Sequence, residues 1–175
     1  LAERGLRQLE IKNAGGPVED LELEDTDEAA AFYVNEMNQI KEVLQNTPIG
    51  LPHFGEQTSG FGFRHNPFGT GAIEGHKGLD FRGDYGETIK STADGVVEFA
   101  GVKGGYGNCV IVKHKNNFHT LYGHLSKISV KENQKIASGE KIGELGSSGR
   151  STGPHLHYEV HVNGERVDPS RFVKQ

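Results

Sequence analysis

The stretch spanning residues 153–162 constrains the fold most, because from residue 155 onward polar and apolar side chains alternate strictly along it. Successive side chains of a β-strand point to opposite faces, so the alternation predicts a strand with two unlike faces. The apolar side chains share one face: Leu156, Tyr158, Val160 and Val162. The titratable side chains share the other: His155, His157, Glu159 and His161. One face is suited to a hydrophobic core and the other to chemistry.

The paired histidines of this strand indicate a bound cation. Imidazoles two residues apart on a strand stand side by side, which is costly when both are protonated and favourable when a cation lies between them. His155 and His157 therefore make a metal ion the first hypothesis for this face of the strand.

The glycine content predicts that a mainly β domain surrounds this strand. Gly accounts for 25 of the 175 residues, about double its usual share of roughly 7%. Short runs of Val, Ile, Thr, Phe and Tyr recur between the glycines, as in strands that tight turns connect. With 34% apolar residues, the chain can support one core and an appendage, and we expect helix to be a minority.

The N-terminal part of the chain predicts this appendage. Residues 1–12 read as a short helix that ends in residues 13–17, where Gly and Pro interrupt the pattern. We expect residues 1–47 to form an N-terminal helical arm, part of a longer upstream region, and residues 48–175 to form the β-domain.

A second helix is predicted within this arm. Asp25 or Thr26 is placed to cap it, and Pro48 ends it because the residue before a proline is forced out of the helical region. Apolar side chains follow one side of the helix: Tyr33, Met37, Ile40 and Leu44. This stripe requires a partner, which is either the β-domain, a similar subunit or the upstream region.

The rest of the β-domain is predicted as short strands joined by polar turns. The elements are a loop and strand edge at 48–75, strands at 76–81 and 96–102, a hairpin of 108–114 and 118–125, two short strands within 127–145, and a loop at 146–153. Lys115, Asn116 and Asn117 supply the turn of the hairpin.

His76 and Asp80 fall on one face of the strand predicted at residues 76–81. On a fully extended strand they would lie about 13 Å apart. One ion can bind both only where the strand bends or bulges, and Gly78 between them makes such a bend cheap. The sequence therefore predicts a break in this strand.

Charge and cysteine content exclude several classes of function. A net charge of -5 without a cluster of Lys or Arg argues against nucleic-acid partners and anionic membranes, which basic side chains hold. The single cysteine, Cys109, excludes an internal disulfide and reads as a buried strand residue. Because the sequence opens at Leu1 rather than Met, we expect a fragment that an upstream segment exports or anchors.

The histidines and Asp80 together supply what a catalytic zinc site requires. Such a site has three protein ligands and an open position for water. His76, Asp80 and one of the pair His155 and His157 provide that set, while the other member of the pair and His124 remain beside the metal as proton acceptors or oxyanion stabilisers. Zinc lowers the pKa of water toward about 7 and polarises a carbonyl, so this equipment can hydrolyse an amide.

The remaining histidines have simpler explanations, and other catalytic motifs are missing. His53, His65, His119 and His161 read as loop or surface residues, and His114 reads as a structural histidine of a strand. The sequence contains no HExxH, GxSxG or GxxxxGK[ST] motif.

Four segments in the same order resemble the LytM or lysostaphin-like zinc endopeptidases. They are residues 59–64 (SGFGFR), 76–80 (HKGLD), 122–125 (YGHL) and 149–157 (GRSTGPHLH). The resemblance extends from about Pro48 to Val173 and leaves the N-terminal helices outside it. It implies an antiparallel β-sheet fold with a narrow groove over the metal.

The resemblance also implies a function and a role for each site residue. His76, Asp80 and His157 would be the zinc ligands, and His124 and His155 the catalytic pair. The substrate would be the peptide stems of bacterial peptidoglycan, whose cross-links the enzyme hydrolyses.

We expect D-alanyl–diaminopimelate links to be cut, in the periplasm or cell envelope. The main alternative is a non-catalytic LytM-like module that binds the wall or activates a partner hydrolase. Such modules resemble the family but have lost ligands, whereas this sequence retains all five positions. A purely structural zinc site is the third reading, and it leaves the two additional histidines unexplained.

Overall fold

The structure, a computed structural model, describes residues 26–65 and 73–173. The helix predicted at residues 1–12 and the predicted cap Asp25 lie outside these ranges. The chain divides between Leu44 and Gln45 into two compact units. The domain boundaries expected from the sequence, 1–47 and 48–175, stay a prediction.

The described part of the first unit is helical. Helix α1 (Thr26–Asn46) ends two residues before Pro48, as the proline predicts. The stripe side chains Tyr33, Met37, Ile40 and Leu44 are 63%, 69%, 57% and 50% exposed. Within the described ranges, no helix is both long enough and apolar enough to span a membrane.

The second unit is built from short β-strands. They are β1 (Gln57–Ser59), β2 (Gly62–His65), β3 (Ile73–His76), β4 (Leu79–Arg82), β5 (Thr88–Lys90), β6 (Gly95–Val102), β7 (Asn108–Lys113), β8 (Phe118–Leu125), β9 (Lys127–Ile128), β10 (Lys135–Ile136), β11 (Lys141–Glu144), β12 (His155–Val162) and β13 (Glu165–Val167). Short 3₁₀ helices at Gly104–Tyr106 and Pro169–Arg171 complete the described elements.

Most of these strands form one sheet in the order β1-β4-β12-β8-β7-β6-β10, with β13 paired to β12. A three-stranded sheet, β5-β11-β9, and a two-stranded sheet, β2-β3, accompany it. Every pairing is antiparallel. The mainly β, antiparallel fold with an N-terminal helix is therefore confirmed.

Strand β12 is an interior strand of the large sheet, between β4 and β8. Its register places His157 opposite Asp80 on β4 and opposite Gly123 on β8. The apolar residues of β12 are buried in the core, and Leu156 and Tyr158 have no exposed surface. The alternation in the sequence thus becomes a core face and a polar face of one strand.

The core face also buries a chain of neutral polar side chains. The Oγ1 atom of Thr92 lies 3.1 Å from the hydroxyl of Tyr122 and 2.9 Å from that of Tyr158. The hydroxyl oxygen of Thr120 lies 3.0 Å from that of Tyr122 and 2.8 Å from Nε2 of His114. Nδ1 of His114 donates to the carbonyl oxygen of Asp94 over 2.7 Å. Each of these five side chains therefore has a polar partner within the core.

The strand predicted at residues 76–81 is broken, and the break brings His76 and Asp80 together. Strand β3 ends at His76, and β4 begins at Leu79. A Cβ atom on Gly78 would lie 2.2 Å from the carbonyl oxygen of Tyr158 on β12, so only glycine permits the chain to pass this close to β12. Nε2 of His76 lies 3.1 Å from Oδ1 of Asp80, against about 13 Å on an extended strand.

Candidate metal centre

Three side chains from three strands direct ligand atoms to one point. They are His76 at the end of β3, Asp80 on β4 and His157 on β12, and all three are buried. Nε2 of His76 lies 3.1 Å from Oδ1 of Asp80 and 3.2 Å from Nδ1 of His157, which lies 2.9 Å from Oδ1 of Asp80. Atoms that bind one zinc ion tetrahedrally at about 2.0–2.1 Å stand about 3.3 Å apart. The cluster therefore has nearly the dimensions of a zinc site.

In His76 and His157, the hydrogen bond of one ring nitrogen determines that the other nitrogen faces the point where the three side chains converge. Nδ1 of His76 donates to the carbonyl oxygen of Gly60 over 2.6 Å, and Nε2 of His157 donates to Oε1 of Glu159 over 3.0 Å. In their neutral form, both rings therefore direct a lone pair at the Asp80 carboxylate. Three electron-rich atoms about 3 Å apart repel one another unless a cation lies between them. The donor set thus fits a divalent metal that accepts nitrogen and oxygen ligands, as zinc does.

The pKa values of Asp80 and His157 are shifted by the same close contact between carboxylate and imidazole. Burial raises the pKa of Asp80, but the hydrogen bonds that His157 and His76 donate to it when they are protonated outweigh burial and hold this pKa far below its usual range. Burial lowers the pKa of His157, but hydrogen bonds to Asp80 and Glu159 outweigh it and raise this pKa. The site thus attracts positive charge, which either a proton or a metal ion can supply.

His124 and His155 lie side by side next to this cluster. Their ring centroids are 4.7 Å apart, and Nε2 of His155 lies 3.9 Å from Oδ1 of Asp80. Nδ1 of His124 donates to the carbonyl oxygen of Ser148 over 2.7 Å, and Nδ1 of His155 donates to that of Gly153 over 2.8 Å. Since a carbonyl only accepts, Nε2 of each neutral ring carries the lone pair. Both histidines are oriented as proton acceptors.

The backbone of His124 adopts an unusual conformation that re-aims its side chain. Its φ of 62° lies in the left-handed region, which is costly for a residue other than glycine. The pairing of β7 with β8 shifts between Asn108 and Val110, as a β-bulge does. Burial lowers the pKa of His124 to about 4, so its imidazole is neutral near pH 7.

The loop at residues 146–153 supplies both carbonyl groups and is itself anchored. The hydroxyl of Ser148 donates to the carbonyl oxygen of Leu125 over 2.7 Å and accepts from the backbone N–H of Asn108 over 2.9 Å. Gly149 has a φ of 73°, and a Cβ atom on it would lie 2.4 Å from the backbone nitrogen of Gly107. Only glycine at position 149 allows this close contact between the loop and the backbone of Gly107. The contact fixes the loop whose carbonyl groups orient the two imidazoles.

The four histidines and the aspartate of the site lie in one groove with a volume of about 1050 Å³. Tyr106 and Arg150 also line this groove, and so does His53, which the sequence predicted as a loop or surface residue. His53 does lie in a loop, but it is not a surface residue, because it is only 7% exposed and its Nε2 donates to Oε2 of Glu87 over 2.8 Å. The partner lies 34 residues away, which no local pattern indicates.

Glu159 is the main residue near the site for which the sequence predicted no role. Its side chain has no exposed surface and accepts hydrogen bonds from four side chains: His157, His161, Tyr106 and Arg166. Burial raises the pKa of Glu159, but these hydrogen bonds outweigh it and hold this pKa well below its usual range. The available signal was its position on the polar face of β12, two residues after His157.

His161, predicted as a surface residue, is half-buried against this carboxylate, with Nε2 2.6 Å from Oε2 of Glu159. His119 lies 3.6 Å from Oε1 of Glu98 and is partly exposed. His114 is buried directly after the end of β7, as expected of a structural histidine. The side chain of His65 lies outside what the structure describes.

Comparison with known proteins finds one matching family. Residues 74–169 match the sequence pattern of Peptidase family M23. This match spans more than half of the chain and contains all five residues of the site: His76, Asp80, His124, His155 and His157.

Two curated relatives illustrate the range of this similarity. The chain is 47% identical over 112 residues to the DD-carboxypeptidase/endopeptidase Mpg of Neisseria meningitidis, which covers 64% of the chain and 26% of that protein. It is 41% identical over 107 residues to the murein hydrolase activator NlpD of Escherichia coli, which covers 60% of the chain and 28% of that protein. The chain thus spans about a quarter of the length of these relatives.

Solved structures share the fold. A zinc-containing peptidase from Vibrio cholerae superimposes with a TM-score of 0.62 at 37% identity, which covers 71% of this chain and 39% of that one. The catalytic domain of lysostaphin from Staphylococcus simulans also superimposes with a TM-score of 0.62, at 31% identity, and covers 67% of this chain and 91% of that one.

Proposed function

The chain belongs to peptidase family M23, and from that premise we propose that it is a zinc-dependent endopeptidase that hydrolyses peptide cross-links of bacterial peptidoglycan. The match confirms the resemblance to LytM and lysostaphin-like proteins that the four sequence segments indicated. The observation that carries the proposal is the convergence of three lone-pair atoms on one point, beside two imidazoles that are oriented as proton acceptors.

We assign zinc to the point on which His76, Asp80 and His157 converge. Nε2 of His76, Oδ1 of Asp80 and Nδ1 of His157 are the three ligand atoms of this assignment. A bound zinc ion supplies a Lewis acid that polarises the scissile carbonyl and makes water a nucleophile near neutral pH. Three protein ligands leave the open position that such catalysis requires.

We assign the proton transfers of the reaction to His124 and His155. Nε2 of each ring carries the lone pair, so it can take a proton from the attacking water and return it to the leaving amine. A ring that has taken the proton is a hydrogen-bond donor and can stabilise the negative charge that develops on the carbonyl oxygen. The carbonyls of Ser148 and Gly153 hold both rings in this orientation.

We infer that the substrate is the peptide stem, cut at D-alanyl–diaminopimelate links. The Neisseria relative is a DD-carboxypeptidase/endopeptidase, which supports a bond between two D-centres. The groove of about 1050 Å³ is large enough for several residues of a peptide. Such a substrate places the protein in the periplasm or cell envelope.

We further propose that residues 48–175 act as the peptidase domain and that residues 1–47 form an arm. The exposed stripe of α1 makes a similar subunit one partner that this arm can recruit. Removal of residues 1–46, with oligomeric state and cleavage rate measured before and after, tests this role of the arm.

The second candidate is a non-catalytic activator of another wall hydrolase. The similarity to the murein hydrolase activator NlpD favours it. The retention of His76, Asp80, His124, His155 and His157 argues for the endopeptidase, because an activator requires neither an open metal position nor two oriented proton acceptors.

Digestion of purified Gram-negative sacculi tests the proposal. The zinc-loaded protein is expected to release muropeptides whose masses identify a cut D-alanyl–diaminopimelate link, and exhaustive chelation is expected to stop the release. His124→Ala is expected to lower turnover by about 10²- to 10⁴-fold, the usual contribution of a general acid–base group. His119→Ala is the matched control, because His119 lies on the same strand but does not line the groove.

The outcomes separate the two candidates. Full release after chelation would contradict a zinc enzyme. No release by the zinc-loaded protein, together with faster release by an added wall hydrolase, would replace the endopeptidase with the activator.

A further inference from the structure

We propose that Glu159 is a positioning residue of the metal centre, which holds the His157 ring so that Nδ1 presents its lone pair to the metal. The inference rests on the proposed function in one respect, the assignment of His157 as a zinc ligand. Glu159 itself does not line the groove and has no exposed surface. It therefore acts through another side chain rather than on substrate.

Four donors surround the carboxylate of Glu159 and leave it one orientation. Oε1 accepts from Nε2 of His157 over 3.0 Å and from the hydroxyl of Tyr106 over 2.7 Å. Oε2 accepts from Nε2 of His161 over 2.6 Å and from Nε of Arg166 over 3.0 Å. A buried carboxylate is costly even when it is paired, so an apolar side chain would serve a purely packing role better.

The contact with His157 determines which imidazole nitrogen carries the proton. A carboxylate oxygen accepts but does not donate, so Nε2 of His157 must be the N–H and Nδ1 must carry the lone pair. Nδ1 is the atom that lies 2.9 Å from Oδ1 of Asp80 and 3.2 Å from Nε2 of His76. Glu159 thus turns the correct nitrogen toward the metal position, as outer-shell carboxylates do for histidine ligands.

Because Arg166 fixes the orientation of an amide at position 159, the substitution Glu159→Gln tests the proposed role of Glu159. The guanidinium is always a donor, so in Glu159→Gln the amide oxygen must face Arg166. The amide NH₂ then faces His157 and Tyr106, where it donates to Nε2 of His157 and moves the ring proton to Nδ1. The substitution preserves side-chain volume, removes one negative charge and reverses the polarity of the contact with the ligand.

Zinc affinity is the readout, measured by competition with a chromophoric chelator and without any peptidase assay. Glu159→Gln is expected to weaken zinc binding by about 10- to 100-fold, the usual effect of losing an outer-shell partner. Tyr106→Phe is the matched control, since it removes the other donor to Oε1, while His161 and Arg166 still hold Oε2 and the bond from His157 stays in place. Its zinc affinity is expected to stay close to that of the wild type.

A Glu159→Gln variant that binds zinc as tightly as the wild type would overturn the proposal, as would a wild-type chain that binds no zinc. Should this variant fail to fold, side-chain ¹⁵N NMR of the wild type supplies the test. The expected result is a proton on Nε2 of His157 and metal at Nδ1, and the opposite assignment would overturn the inference. Loss of affinity in a chain that cleaves no peptide would contradict only the proposed function.

Discussion

The two faces of the central sheet bury histidines with opposite properties. On the polar face, His157 contacts the carboxylates of Asp80 and Glu159, and their hydrogen bonds raise its pKa against the effect of burial. On the core face, His114 contacts a carbonyl oxygen and the hydroxyl of Thr120, and burial lowers its pKa to about 4. The two side chains are almost equally buried, at 6% and 4% exposure.

The difference shows that the charge of the partner, not the depth of burial, decides what a buried histidine does. Carbonyl and hydroxyl groups satisfy a neutral imidazole completely, so the core face needs nothing from outside the protein. Carboxylates carry negative charge that attracts a cation, such as a proton or a metal ion. The core face therefore stabilises the fold, and the polar face is the one to which we assign a metal ion.

Removal of the charge on the polar face has the largest expected effect. In Asp80→Asn, the cluster loses its carboxylate, and an amide is a poor ligand for zinc. We expect zinc affinity to fall by more than the roughly 100-fold that loss of an outer-shell contact costs, and cleavage of sacculi to fall below detection.

His114→Gln is the matched control for this variant, because it alters a buried polar group on the core face. Its zinc affinity, from the same chelator competition, is expected to equal that of the wild type. An equal loss of zinc affinity in both variants would show that the two faces are not independent.

The pH dependence of stability tests the next largest effect, the burial of a neutral His114 on the core face. The pKa of His114 is about 4 in the folded protein and about 6.5 in the unfolded chain. Because the folded value is lower, its contribution to stability is complete above about pH 6.5 and is lost as pH falls toward 4. We expect this loss to be on the order of 3 kcal/mol between pH 7 and pH 4.

Urea unfolding of the zinc-free protein at the two pH values measures this contribution. In His114→Gln, the decrease in unfolding free energy is expected to be smaller by that amount, because glutamine does not titrate. The ligand histidines and Asp80 titrate in both proteins and cancel in the difference. An unchanged decrease would contradict a neutral, buried His114.

The sequence predicted the elements that have a local signal. The alternation at residues 155–162 became β12, and Asn116 and Asn117 form the predicted hairpin turn with φ values of 55° and 58°, as such turns require. The region 127–145 contains three short strands instead of the predicted two. Two of them, Lys127–Ile128 and Lys135–Ile136, are two residues long, which is too short to show a period.

The sequence predicted the geometry of the site only where a local motif marked the bend that brings distant residues together. The segment that contains His76 and Asp80 signalled its own bend through Gly78. His124 did not, because strict alternation would place it on the core face with Tyr122, and a shift in the pairing with β7 moves it to the polar face. The contact between His53 and Glu87 forms only on folding, so no pattern in the sequence reports it.

The smallest expected effect concerns Tyr158, which lies next to His157 but points to the core face. Tyr158→Phe removes one hydroxyl, whose partner Thr92 keeps its contact with Tyr122 over 3.1 Å. We expect a loss of about 1 kcal/mol in the free energy of unfolding, the usual value of one buried hydrogen bond, measured by urea denaturation. Zinc affinity is expected to stay at the wild-type value, because the shape of β12 and the contacts of His157 are unchanged. Weaker zinc binding in this variant would mean that the core face also positions the ligand, and the separation of roles between the two faces would then fail.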